Sequence, residues 1–97
     1  MHEPEHSFEV YWHLVKRKHL ELLELRSEKE SAHRDYVEAW FEFMAMGHPE
    51  ALKEDKEKAS SSLQSCGAAR ERAILAVSEA ERRLILFEEC LRQCTPT

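Results

Sequence analysis

Two pairs of residues in this chain have the chemistry and spacing of metal ligands. His2 and His6 stand four residues apart, and so do Cys90 and Cys94. Two thiolates with two imidazoles form a tetrahedral zinc set. Neither pair follows a zinc-finger spacing, and a cysteine on an apolar helix stripe serves as a small hydrophobe. A metal-binding helical protein built on Cys90, Cys94 and the N-terminal histidines is therefore the alternative reading. Glu30-Ser31-Ala32-His33 matches the Glu-x-x-His element of carboxylate-bridged di-iron bundles. Such bundles need a second copy of that element, and no histidine follows His48. Glu88 and Glu89 are consecutive, so on a helix they point in different directions and read as solvated surface. Two isolated glycines exclude a phosphate-binding loop, and no nucleophile elbow or metalloprotease helix motif is present. The expectation is a protein that is not an enzyme, with no catalytic residues, cofactor or metal.

The elements that would position these groups are legible from hydrophobic spacing. One heptad stripe runs Phe8, Tyr11, Val15, Lys18, Leu22, Leu25, Lys29, Ala32, Tyr36, Ala39, Phe43, Met46. A second runs Leu52, Lys56, Ala59, Leu63, Cys66, Arg70, Ala73, Val77, Ala80, Leu84, Phe87, Leu91, Cys94. Steps of three and four alternate throughout, which places each set on one face of an α-helix, the seam of a coiled coil. Folding the chain back at residues 47–49 pairs Tyr36 with Ala59, Ala32 with Leu63, Leu22 with Ala73 and Phe8 with Phe87. Lys18 then faces Val77, Lys29 faces Cys66 and Leu25 faces Arg70. Large residues oppose small ones in many of these pairs, as interlocking helices require. The same fold-back sets the histidine pair opposite the cysteine pair.

The predicted fold is all-α: a long antiparallel helical hairpin with two helices of about 40 residues, each roughly 60 Å long at the α-helical rise. Residues 1–97 form a single domain, with a helix over 7–46, a turn at 47–49 and a helix over 50–94. Ser7 suits the cap of the first helix, although Pro4 allows an earlier start. Gly47 is expected to end that helix in the left-handed conformation, and Pro49 to sit in the first turn of the next. Ser60-Ser61-Ser62 and Gly67 have poor helix propensity, costing about 2 kcal/mol in sum. A break near 60–67 gives the alternative, a three-helix bundle. The unbroken seam through Ala59, Leu63, Cys66 and Arg70 favours one helix.

Composition agrees with long helices: charged residues make up 34%, with only 2 Gly and 3 Pro. The formal net charge of −5 works against non-specific binding of nucleic acid or anionic membrane. Lys16-Arg17-Lys18-His19 is the densest basic cluster and reads as a solvated face. No apolar run has the length of a membrane span. Three cysteines and the lack of an apolar leader point to the cytoplasm.

A single hairpin leaves too much apolar surface unaccounted for. Trp12, Leu23, Ile74 and Ile85 form a second stripe beside the seam, and a helix apolar on two faces needs a second neighbour. We expect these four residues to drive self-association into a homodimeric four-helix bundle. Near the turn, Trp40, Phe41 and Met44 spread beyond the seam and are the expected contacts for a protein partner. In architecture the pattern resembles the small secreted helical-hairpin proteins with a Trp-x-Gly turn, and the dimeric RNA-binding hairpins. Trp40 stands seven residues from Gly47, however, and no RNA-facing basic row is present, so the chain is placed in neither family. The function read from the sequence is a non-catalytic interaction module of adaptor, small-chaperone or inhibitor type.

Overall fold

The computed structural model describes the backbone of residues 4–94 and the side chains of residues 8–94. Two helices of 42 residues each, α1 (Pro4–Ala45) and α2 (Lys53–Cys94), fold as an antiparallel hairpin, and the described residues contain no strand. α1 starts three residues ahead of Ser7. Proline suits this first position because the N–H it lacks has no intrahelical partner there.

α2 passes through Ser60–Gly67 without a break, so the chain makes two helices and not three. The weak propensity of that stretch is outweighed by its seam face, where Ala59 is buried and Leu63 and Cys66 are half-buried. A Cβ built on Gly67 meets nothing within 4 Å. Gly67→Ala is therefore expected to raise stability by about 1 kcal/mol, read as a higher urea midpoint at unchanged slope. A lower midpoint would show that the open space beside Gly67 is needed.

The connection between the helices departs from the expected turn. The Met46 N–H donates to the carbonyls of Glu42 (3.2 Å) and Phe43 (3.1 Å), and the Gly47 N–H donates to Met44 (3.1 Å). The last turn of α1 thus tightens to i→i+3 bonding, which satisfies carbonyls that a left-handed residue would otherwise serve. No described glycine has positive φ, so the left-handed role expected of Gly47 is not taken. Its missing side chain still matters, since a Cβ there would stand 3.2 Å from the Met44 carbonyl oxygen. The Ala51 N–H then donates to the His48 carbonyl at 3.2 Å, closing a turn with Pro49 at its second position. Proline's fixed φ suits that place. α2 therefore begins at Lys53 and not at Pro49, with Leu52 accepting its first helical bond from Lys56 (3.0 Å). Leu52 offers no capping side chain. Glu54 and Asp55 in the first turn supply negative charge at the positive end of the helix dipole.

The chain divides into two compact units. A terminal unit takes α1 up to Arg26 and α2 from Ala76, and a turn unit spans Ser27–Leu75. In the terminal unit Val15, Leu22, Val77 and Leu84 form a buried cluster, with Leu25, Ala80, Phe87 and Leu91 packed against it. In the turn unit the buried hydrophobic residues are Ala39 and Ala59. All of these residues belong to the two heptad stripes. The units nevertheless differ in kind, because one buries branched aliphatic side chains and the other buries methyl groups.

Pairing within each unit corrects the expected register. His19 meets Glu88 at 3.1 Å and Arg26 meets Glu81 at 3.7 Å, so one heptad up α1 corresponds to one heptad down α2. The Lys18 ammonium lies 5.8 Å from the Phe87 ring centre, not at Val77. Arg70 lies over the Tyr36 ring at 5.2 Å, where the fold-back had placed Ala59. Each partner sits roughly two to three turns further along α2 than expected. Side chains lean toward the N-terminus of their own helix, which raises the numbers of both partners at any level. The seam-preserving slip that remains is one heptad. The connection, which occupies residues 46–52 in place of 47–49, accommodates that slip.

Candidate protein-interaction site

The turn unit exposes most of its large apolar side chains. Trp40 is 43% exposed, Phe41 63% and Met44 56%, and Val37 and Phe43 are exposed beside them. Periodicity explains this placement. Trp40, Phe41 and Met44 fall between seam positions of α1, while the seam itself passes through Tyr36, Ala39 and Phe43. The Trp40 and Phe41 rings meet edge to face, with centres 5.3 Å apart and planes at 81°. That geometry is favourable for aromatic pairs.

Two concave surfaces flank this pair. Phe43, Met44, Met46, Gly47 and Lys56 line a groove of about 310 Å³. His33, Tyr36, Val37, Trp40 and Arg70 line another of about 250 Å³. In the second, the Arg70 Nε–H donates to His33 Nδ1 at 3.0 Å while the guanidinium carbon lies over the Tyr36 ring, 5.2 Å from its centre. Spacing alone sets Arg70 against Leu25 and gives His33 no partner on the facing helix. The missed contact follows from the register, since His33 and Arg70 come together only after the one-heptad slip.

In the terminal unit Trp12, Leu23 and Ile85 are exposed. Ile74, expected on the same stripe, is half-buried and belongs to the turn unit. The Lys16 ammonium lies 5.4 Å from the Trp12 ring centre, and Trp12 meets His13 edge to face at 5.1 Å. Leu20 and Leu75 are exposed as well. Sequence reasoning passed over both, although each stands on the side of its helix opposite the seam, where an apolar residue is itself a signal.

The basic cluster at 16–19 is divided among separate partners. Lys16 lies over Trp12, Lys18 reaches Glu21 (3.2 Å) and Phe87, and His19 meets Glu88. Lys18 shows how a cation occupies the seam: its stem lies along apolar surface while the ammonium reaches a surface carboxylate.

Cys66, Cys90 and Cys94 are free and half-buried. His2 and the His6 side chain, the expected zinc partners of Cys90 and Cys94, lie outside the described residues. Among the described residues no three His, Cys, Asp or Glu side chains gather into a metal-binding group, the region of Glu30 and His33 included. No described helix is long and apolar enough to cross a membrane. No protein-family model, curated protein or solved structure matches the chain.

Proposed function

We propose that this protein is a non-catalytic protein–protein interaction module, of adaptor, small-chaperone or inhibitor type. The observation that carries this reading is the contrast inside the turn unit, which buries only Ala39 and Ala59 yet exposes Trp40, Phe41 and Met44. Fully burying one such large side chain is worth about 1.5–3 kcal/mol. A partner covering all three gains an apolar anchor of the kind that dominates interface energetics. The terminal unit adds a second exposed set, Trp12, Leu23 and Ile85, which supports pairing with a second copy into a four-helix bundle. Three free thiols and a mixed-charge surface suit the cytoplasm.

Residues kept for a partner contribute little to their own domain. Phe41→Ser and Met44→Ser are therefore expected to change the unfolding free energy by no more than about 0.5 kcal/mol each, the range of ordinary surface positions. Urea denaturation at low protein concentration reads this directly. A loss above about 2 kcal/mol would make the two side chains structural, and the interaction reading would lose its main support.

A further inference from the structure

The groove around Arg70 has a lining whose chemistry selects its ligand. We propose that it takes an acidic, hydrophobic peptide segment of a partner protein, with a side-chain carboxylate on Arg70 and the adjoining apolar side chain against Trp40 and Val37. This rests on the interaction reading above and supplies the chemistry of the partner.

Arg70 carries a positive charge with no carboxylate paired to it among the described residues; its contacts are His33 and the Tyr36 ring. Both contacts orient the guanidinium. Its Nε–H is committed to His33 Nδ1 at 3.0 Å, and its central carbon lies over the Tyr36 ring, 5.2 Å from the ring centre. The two terminal nitrogens remain as a fork, the geometry that binds a carboxylate through two parallel hydrogen bonds. His33, accepting at Nδ1, carries its proton on Nε2 and so presents a further donor. The Trp40 indole is a donor as well. A lining of donors calls for a ligand rich in acceptors, and the apolar walls call for a hydrophobic group beside it.

The neighbouring surface has the same bias. Lys29, Glu30, His33 and Arg34 line a groove of about 320 Å³ that shares His33 with the first. The two grooves together hold Lys29, Arg34 and Arg70 against the single carboxylate of Glu30. This is a local excess of positive charge in a chain whose net charge is −5. A local cationic surface steers an acidic segment, while the overall charge repels a nucleic acid.

The test uses an acetylated, amidated hexapeptide alternating glutamate with phenylalanine, and its glutamine counterpart, titrated into the full chain while Trp fluorescence is followed. The glutamate peptide is expected to bind at least tenfold more tightly, with the preference shrinking at 0.5 M salt as screening requires. Arg70→Gln should abolish the preference. Arg70→Lys, which keeps the charge but not the fork, should retain less than a third of it, both variants keeping the wild-type circular dichroism. Trp40→Ala should weaken both peptides equally. Equal binding of the two peptides, still sensitive to Trp40→Ala, would overturn carboxylate recognition while the interaction reading stands. Absence of binding by either peptide would overturn the groove as a docking site, leaving the Phe41 and Met44 variants to judge the wider reading. Preferential binding of a single-stranded oligonucleotide would overturn the proposal in favour of phosphate recognition. A native mass that falls on Arg70→Gln would overturn it in favour of a second copy.

Discussion

Leu22→Ala is expected to remove about 2–4 kcal/mol from the unfolding free energy, the cost of deleting a buried leucine side chain and leaving a cavity. Leu22 is 3% exposed and belongs to the buried cluster with Val15, Val77 and Leu84. Phe87 and Leu91 pack against that cluster from α2, and Leu25 from α1. A two-helix layer has few other side chains that can shift to refill the space, so relaxation is limited. Small domains hold only about 5–15 kcal/mol in total, so this one substitution consumes a large share. Urea denaturation followed by circular dichroism measures it, and Leu84→Ala, from the facing helix, should cost a similar amount. A loss below about 1 kcal/mol for Leu22→Ala would mean that stability does not centre on this cluster. The comparison with Phe41→Ser is the informative one, since the two sites differ in burial far more than in hydrophobicity.

The second large effect is on assembly. Trp12→Ala combined with Ile85→Asp is expected to convert a dimer into a monomer, raising the dissociation constant at least a hundredfold. Both residues belong to the terminal unit, Trp12 at 44% and Ile85 at 62% exposed, so neither change opens a cavity within the hairpin. In a four-helix bundle the aspartate would stand in the apolar layer between copies. An unpaired buried charge there costs several kcal/mol. Light scattering on a size-exclusion column, across a range of concentrations, gives the native mass of both proteins. A wild-type dimer with a monomeric double variant supports the Trp12 and Ile85 face. An unchanged mass in the variant would mean that the copies meet elsewhere, and a wild-type monomer would remove the four-helix bundle from the proposal.

Helix content and seam membership were legible because both depend on local spacing. Val15, Leu22, Ala39, Ala59, Val77 and Leu84 are the buried hydrophobic residues among those described, and all lie on the stripes read from steps of three and four. The absence of glycine and proline from residues 5–46 left α1 no internal place to stop. The ends were harder to read, since they depend on which hydrogen bonds close the connection. Gly47 and Pro49 announced a turn. The tightened end of α1 and the His48–Ala51 turn then lengthened it and moved the start of α2 to Lys53.

What the sequence by itself determined is therefore the pair of helices and the face each turns to the other. Tertiary structure alone decided which residue of α2 meets which residue of α1. A heptad pattern is unchanged by a slip of seven, so every seam residue remains on the seam in either register, and no count of apolar positions separates the two. Charged and aromatic residues on and beside the seam break that degeneracy, through His19 with Glu88, Arg26 with Glu81, and Arg70 with His33 and Tyr36. The Arg70 groove exists only in the observed register, which brings His33, Tyr36 and Arg70 together. Its chemistry was present in the sequence as separate residues, and three-dimensional pairing made it a site.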